Sequence, residues 1–112
     1  MLGDKDAIRL RHMLEAARKA VEFAKGRTRA DLDADEQLTL ALVRLLEVVG
    51  EAAKGVSEEC RRSHPSVAWK GIAGARDRLI HGYFDVDLDV VWRIIADDLP
   101  PLIVQLERMV SA

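Results

Sequence analysis

Apolar residues recur in alternating steps of four and three along most of this chain. Over residues 4–25 the repeating positions are Leu10, Leu14, Ala17, Val21 and Ala24. Such spacing places one apolar stripe along an α-helix, because the helix has about 3.6 residues per turn. The same rhythm returns over residues 35–55, 67–81 and 88–109, whereas the period-two alternation of β-strands is absent. The pattern predicts an all-α fold, an antiparallel bundle of four main helices.

Glycine, proline and polar residues set the limits of the predicted helices. Residues 26–35 are polar and are expected to form a loop after Gly26 closes the first helix. Gly82 is expected to end the third helix. Asp98 can cap a new helical start, and Pro100 suits a first turn because proline lacks the N–H that a helix interior needs. We therefore expect the last helix to be kinked or divided at Pro100-Pro101.

Length and composition predict one globular domain over residues 1–112. Apolar residues make up 49% of the chain and charged residues 32%, a balance that disordered chains do not have. Cys60 is the single cysteine, which excludes an intrachain disulfide and a cysteine-based metal site and fits a reducing compartment. The N-terminus has no apolar signal core, and no run is long enough to span a membrane. These features predict a cytoplasmic protein.

Charge is unevenly distributed along the sequence. Residues 54–83 carry six Lys/Arg and three Asp/Glu, whereas residues 84–112 carry two and six. The basic residues that precede or surround His81 are Lys54, Arg61, Arg62, Lys70, Arg76 and Arg78. They form either a solvated face or a patch that binds the backbone of RNA or another polyanion in a salt-sensitive way.

The stretch from Arg76 to Tyr83 concentrates more reactive chemistry than any other part of the sequence. It reads R-x4-H-x-Y and combines an arginine that can bind phosphate, a histidine that can transfer a proton and a tyrosine that can be modified. In a continuous helix, Arg76 and His81 would lie about 140° apart. Three arrangements would still bring them together. The long arginine reaches around, the helix ends near His81 and redirects it, or two copies of the helix meet and complete one cleft.

Each residue of this candidate pair also has a structural interpretation. Arg76 lies on an apolar stripe, so its charge is either paired with a carboxylate such as Glu47 or Glu51, or directed at a phosphate. His81 has Asp77 four residues earlier, where a carboxylate on the same helical face would hold one ring nitrogen and raise the basicity of the other. The alternative is a surface or capping histidine.

The sequence predicts no metal ion and no cofactor. Its three histidines include no two at the short spacing of metal ligands. The acidic residues Asp85, Asp87 and Asp89 lack the glycine and the distal glutamate of a calcium-binding loop, so a solvated helix cap is the better interpretation. A glycine-rich phosphate loop is also absent.

Several segments together resemble the HEPN superfamily and, within it, the HepT-like toxins. Beyond the R-x4-H-x-Y motif, the resemblance is carried by Val49-Gly50-Glu51-Ala52-Ala53, Pro65, Trp69, Ile72-Ala73-Gly74, the continuation from Gly82 to Trp92, and Asp97-Asp98-Leu99-Pro100. It covers essentially the whole chain. The position after the motif arginine is often asparagine in relatives and is Asp77 here, which places a negative charge near the phosphate.

The resemblance implies a metal-independent endoribonuclease toxin of a type VII-like toxin–antitoxin pair. Arg76 and His81 would be the catalytic pair and meet across a homodimer cleft, with Asp77 and Arg78 in support and no cofactor. The partner would be an MntA-like minimal nucleotidyltransferase antitoxin that transfers AMP to Tyr83 and silences the toxin. His81 would act as general base or acid while the RNA 2′-hydroxyl attacks the adjacent phosphorus.

Two other functions are compatible with the same residues. One is a non-catalytic helical module that docks onto a nucleotidyltransferase or binds a nucleotide. The other is a structural dimerisation domain in which the charged motif forms an interhelical network of salt bridges.

Overall fold

The structure, a computed structural model, describes residues 3–81 and 85–111, and it describes only the backbone of His81. Helices cover most of these residues: α1 Asp4–Ala24, α2 Arg29–Ala34, α3 Glu36–Lys54, α4 Glu58–Ser63, α5 Trp69–Ala73, α6 Ala75–Leu79, α7 Leu88–Arg93, a π-helical segment Ile94–Asp98, and α8 Leu99–Ser111. Between α6 and α7, the strands β1 Ile80–His81 and β2 Asp85–Val86 pair antiparallel. The predicted all-α class is confirmed, because this pairing joins only two residues with two.

The frame of the bundle consists of α1, α3 and α8, with α1 packed against both of the others. The Asp6 carboxylate on α1 accepts hydrogen bonds from the Ser57 backbone N–H at 2.8 Å and from its hydroxyl at 2.6 Å. The end of α3 therefore lies beside the start of α1, so these helices run antiparallel. The largest fully buried side chains of the core are Leu10, Met13, Leu42, Leu79, Leu99, Leu106, Val56 and Val91. Most of the predicted apolar stripes thus line the core.

The prediction of a loop over residues 26–35 is wrong, because the chain forms α2 there. Its start is stabilised by the Thr28 backbone N–H, which donates to the Asp31 carboxylate at 2.6 Å. Leu32 is buried and attaches the helix to the core. Asp35 then caps α3 by accepting from the Leu38 N–H at 3.0 Å. One buried leucine and two carboxylates are sufficient to order this connection.

The predicted continuous helix over residues 67–81 is also wrong. The chain forms α5 and α6, which meet at Gly74, and it turns extended at Ile80, where φ is −119° and ψ is 117°. Glycine costs a helix interior about 1 kcal/mol relative to alanine, which favours an interruption at Gly74. The Asp87 N–H donates to the Leu79 carbonyl at 2.6 Å and holds the returning chain. The expected terminator, Gly82, lies outside the described residues.

The predicted discontinuity near Pro100-Pro101 is confirmed, and it takes the form of the π-helical segment just before the two prolines. The Leu99 N–H donates to the carbonyl of Ile94, five residues back. Neither Pro100 nor Pro101 has an N–H to donate, so the preceding carbonyls lack α-helical partners. The backbone nevertheless stays helical through Leu99 (φ −68°, ψ −41°), and Leu88–Ser111 forms one joined helical region.

Candidate functional site

Helix α6 presents the first half of the motif to solvent. Its first and last residues, Ala75 and Leu79, are four apart, lie on one face and are buried in the core. The three residues between them, Arg76, Asp77 and Arg78, are exposed. A helix of five residues is not stable alone. Its position, and the direction of its three charged side chains, therefore depends on how Ala75 and Leu79 pack.

Arg76 forms an ion pair with Glu47 of α3. The Arg76 Nε donates to Glu47 Oε2 at 3.2 Å. The Arg76 side chain is 53% exposed, whereas that of Glu47 is 25% exposed. Of the two carboxylates considered from the sequence, Glu47 is the partner, and Glu51 instead pairs with Lys54 at 3.4 Å. Because only Nε contacts Glu47, the two terminal amino groups of Arg76 have no ion-pair partner among residues 3–80 and 85–111 and can bind an anion.

The chain changes direction between Arg76 and His81. Helix α6 ends at Leu79, and the backbone of His81 pairs with Asp85 in the two-stranded ladder. The 140° separation expected for one continuous helix therefore does not apply, and neither does a shared helical face for Asp77 and His81. Of the three arrangements considered, the one in which the helix ends and redirects His81 describes the backbone. The meeting of the Arg76 and His81 side chains stays a prediction, and Tyr83 lies outside the described residues.

The predicted RNA-binding residues are distributed over α3, α4 and α5. Lys54 pairs with Glu51, and Arg62 pairs with Glu58 at 2.8 Å. Arg61 is half-buried, and its Nε has no hydrogen-bond partner among the described residues. Lys70 is exposed and forms no ion pair within the described part of the chain. Lys70 is therefore better placed than Lys54 and Arg62 to bind a new anion, whereas the Nε of Arg61 is buried.

A cavity of about 390 Å³ lies beside α6, between α3, α5, the π-helical segment and α8. Arg78 lines this cavity together with Asp97 and Asp98. Arg78 is thus the member of the motif that lines this cavity, whereas Arg76 pairs with Glu47 on α3. Sequence reasoning missed the cavity because its lining comes from separate elements, and Asp97-Asp98 was interpreted only as part of a helix start.

The single thiol is not placed to act as a nucleophile. Cys60 is buried against the core. Burial raises the pKa of the Cys60 thiol, and the nearby carboxylates of Asp6 and Glu59 raise it further. The thiolate is the reactive form of cysteine, so these effects disfavour covalent chemistry at Cys60.

Two further features of the described residues bear on the kind of site. No group of three or more His, Cys, Asp or Glu side chains is arranged to hold a metal ion within the part of the chain that the structure describes. Among the helices given above, none combines the length and the apolar character that a membrane span needs.

Comparison with protein families gives one matching model, described as "Ribonuclease HepT-like", over residues 13–109. The match includes all of α3, most of α8 and the whole of the R-x4-H-x-Y motif. It confirms the resemblance inferred from the sequence.

Curated relatives point the same way. The chain is 41% identical over 102 residues to a protein of Caldanaerobacter subterraneus that its name marks as a candidate RNase, covering 91% of each chain. It is 35% identical over 100 residues to the "Probable ribonuclease HepT" of Thermococcus cleftensis, covering 89% of this chain and 91% of the relative. A candidate RNase of Methanocaldococcus jannaschii is 34% identical over 99 residues, which cover 88% of this chain and 82% of the relative. No solved structure matches the chain.

Proposed function

We propose that this chain, which belongs to the HepT-like ribonuclease family, is a metal-independent endoribonuclease in which Arg76 and His81 form the catalytic pair. Family membership and the names of the relatives support ribonuclease activity. One observation in the structure supports the role of Arg76 most directly. Its guanidinium is held at Nε by Glu47 at 3.2 Å, and its two terminal amino groups, which contact none of the side chains that the structure describes, can donate to a phosphate.

The proposed reaction is an in-line transesterification within RNA. The 2′-hydroxyl oxygen attacks the adjacent phosphorus, the bond from phosphorus to the 5′-oxygen breaks, and a 2′,3′-cyclic phosphate and a 5′-hydroxyl are formed. His81 takes the proton from the 2′-hydroxyl as general base or supplies one to the leaving 5′-oxygen as general acid. Such proton transfer typically contributes about 10²- to 10⁴-fold to the rate.

Arg76 stabilises the charge that develops on the non-bridging phosphoryl oxygens. Its planar guanidinium can donate two parallel hydrogen bonds to a phosphate. Glu47 acts as a positioning residue, because its hydrogen bond to Nε restricts the rotation of the guanidinium before substrate arrives. A donor that is already oriented needs no reorganisation during the reaction, which is where electrostatic stabilisation has most effect.

The proposed active unit is a homodimer in which the pair meets across a cleft between two copies. Helix α6 points Arg76 outward, toward any partner that covers this face. Asp77 and Arg78 flank the pair and support it, while Lys70 and Arg61 bind the RNA backbone. Light scattering or sedimentation that shows a strict monomer at assay concentrations would contradict the shared cleft.

Control of the enzyme is proposed to come from an MntA-like nucleotidyltransferase that acts as antitoxin. The tyrosine hydroxyl of Tyr83 would attack the α-phosphorus of ATP, releasing pyrophosphate and leaving AMP on the phenolic oxygen. Tyr83 is two residues from His81, so the added anion would compete with substrate phosphate for the same donors. Mass spectrometry of the co-expressed pair should show AMP on wild-type protein and none on Tyr83→Phe, and its absence from the wild type would refute this mode of control.

The proposed activity is tested by incubating a defined RNA with purified protein in the presence of EDTA. We expect cleavage of RNA to a 2′,3′-cyclic phosphate end, and no cleavage of DNA of the same sequence, because the nucleophile is missing. Arg76→Ala and His81→Ala should each abolish cleavage with an unchanged circular dichroism spectrum. Arg108→Ala, an exposed arginine of α8, is the matched control and should remain active. Cleavage lost on chelation, or full activity in either motif variant, would contradict the proposal.

A further inference from the structure

The cavity beside α6 has the size and lining of a small-molecule site. Its volume of about 390 Å³ falls within the range of roughly 300–1,000 Å³ that is usual for such sites. Apolar side chains from three elements form its walls: Leu46 and Val49 of α3, Ile72 of α5, and Leu99 and Leu102 of α8. A partly apolar group such as a nucleobase would therefore find apolar contacts there.

Charged side chains of both signs also line this cavity. Arg78 of α6 contributes a guanidinium, and Asp97 and Asp98 of the π-helical segment contribute two carboxylates. None of the three belongs to any of the ion pairs formed among residues 3–81 and 85–111. The cavity thus has hydrogen-bond donors for an anion and acceptors for N–H groups, and neither set is neutralised by the other.

The π-helical segment, which the two following prolines account for, contributes directly to this cavity. It supplies Ile94 to the wall and the two aspartates to the lining. Such segments are rare and occur frequently at functional sites. Here the irregularity adjoins the cavity, which α3 also lines.

From these features we propose that the cavity is a subsite for one nucleotide of the RNA substrate and that it favours guanine. This inference rests on the proposed ribonuclease function. The apolar walls would contact the two faces of the base, and Arg78 would bind a phosphate. A carboxylate of Asp97 or Asp98 would accept hydrogen bonds from the base edge.

Hydrogen-bonding chemistry distinguishes guanine from the other bases at such a carboxylate. Guanine has two adjacent donors, N1–H and the exocyclic amino group, which can donate in parallel to the two carboxylate oxygens. Adenine and cytosine place one amino group next to a ring acceptor, which the carboxylate repels. Uracil has one N–H between two carbonyls. The specificity-determining residues are therefore Asp97 and Asp98.

Helical geometry places this subsite beside the reacting linkage and not on it. Arg76 and Arg78 are two residues apart in α6, which corresponds to about 160° around the helix and about 3 Å along it. The strand would bind one phosphate at Arg76 and place a neighbouring nucleotide in the cavity. Loss of the subsite should therefore change which linkage is cleaved more than whether cleavage occurs.

The test uses the full chain, with a side chain that fills the cavity. Gly71 lines the cavity, and no atom lies within 4 Å of a Cβ added there. The Cβ of Gly71→Leu therefore meets no neighbouring atom, and leucine favours the helix more than glycine does. Wild-type protein should bind GMP at least about tenfold more tightly than UMP in calorimetric titration. Gly71→Leu and the double variant Asp97→Asn, Asp98→Asn should lose that difference. Gly3→Leu, also open within 4 Å and outside the cavity, is the matched control and should keep it.

Cleavage mapping separates failure of the subsite from failure of the ribonuclease. RNA cut preferentially beside guanine by wild type, and at many linkages by Gly71→Leu, would support the subsite. RNA cut by wild type without preference, or equal binding of GMP and UMP, would overturn the subsite and leave the ribonuclease standing. Guanine-selective binding without any RNA cleavage would support the cavity as a nucleotide site and refute the ribonuclease. If Gly71→Leu no longer dimerises but still binds GMP, the cavity is a contact surface for a second copy of the chain. That result would also overturn the subsite.

Discussion

The frame of α1, α3 and α8 and the motif segment, residues 69–86, are built in different ways. The frame helices have 21, 19 and 13 residues and bury continuous apolar stripes against one another. In the described part of the motif segment, residues 69–81 and 85–86, helices of five residues and strands of two follow one another. The frame therefore supplies most of the stability of the fold, and the motif segment supplies the exposed charges of the proposed site.

This difference implies that residues of the proposed site can be substituted without loss of the fold. Of the side chains that we assign to phosphate binding, Arg76, Arg78 and Lys70 are exposed. Ala75 and Leu79, which hold α6 in place, are buried. Substituting an exposed charge costs little stability, because few contacts are lost. The motif segment does depend on the frame, however, since the short helix α6 is not stable without the frame against which it packs.

The largest expected effect on stability comes from the frame itself. Leu106 of α8 is fully buried, so Leu106→Ala should lower the free energy of unfolding by about 2–5 kcal/mol. Urea denaturation measures this value. Val104→Ala on the same helix, where the side chain is 45% exposed, should cost less than about 0.5 kcal/mol. Equal losses of unfolding free energy in the two variants would mean that the buried face of α8 does not stabilise the frame.

A smaller effect is expected where the two regions meet, at Gly50 of α3. A Cβ added there would lie 3.2 Å from the Ile72 carbonyl oxygen and 3.7 Å from that of Ala73. Gly50→Ala should therefore displace α5 and cost about 1–3 kcal/mol, with a drop in activity beyond the loss of folded protein. Gly71→Ala meets no atom within 4 Å and should be neutral or stabilising. Identical behaviour of the two alanine variants would contradict a close contact between α3 and α5.

Glu47 tests whether the frame orients the motif as well as supporting it. Glu47→Ala removes the acceptor of the Arg76 Nε and should lower kcat by roughly tenfold with a smaller change in KM, because orientation is lost. Glu47→Gln keeps an acceptor oxygen and should retain most of the activity. Glu51→Ala, one turn along α3 and paired with Lys54, is the matched control. If Glu47→Gln lowers kcat as much as Glu47→Ala does, catalysis depends on the negative charge of Glu47 and not on its hydrogen bond to Arg76.

The smallest expected effect is at the junction of α1 and α4. Ser57 accepts from the Cys60 N–H at 3.1 Å and donates to Asp6 at 2.6 Å, so Ser57→Ala should cost about 1 kcal/mol at pH 7. The Ser57 hydroxyl and backbone N–H lower the pKa of Asp6 below its ordinary value near 3.8. A lowered folded-state pKa stabilises the fold above that value, and this contribution is lost as pH falls.

Urea denaturation from pH 7 to pH 3 checks the effect at Ser57. The difference in free energy of unfolding between wild type and Ser57→Ala should shrink as Asp6 becomes protonated. A difference that stays constant over this range would show that Asp6 takes no part in it.

Sequence reasoning predicted the frame well because long helices repeat one physical signal. The four-three spacing identified α1, α3 and the joined region from Leu88 to Ser111. It missed α2, since six residues with one buried leucine give too short a pattern. It also extended the third helix through Gly74 and Ile80, because the apolar stripe continues there in the sequence although the backbone does not.

The candidate site was only partly visible in the sequence. The motif is local, so Arg76, His81 and Tyr83 stood out by their spacing. The Arg76 ion pair was one of two open alternatives, the other being a guanidinium directed at a phosphate, and the sequence offered both Glu47 and Glu51 as partners. The cavity gave no sequence signal, since Arg78, Asp97 and Asp98 come from separate elements and meet only through packing.

The most direct test of the shared catalytic pair is complementation between inactive variants. Arg76→Ala and His81→Ala are purified separately, mixed under conditions that exchange subunits, and assayed on a defined RNA with EDTA present. A mixed dimer has one cleft with both residues intact, so we expect each variant alone to be inactive and the mixture to regain cleavage. A mixture that stays inactive after verified subunit exchange would contradict a pair formed across two copies.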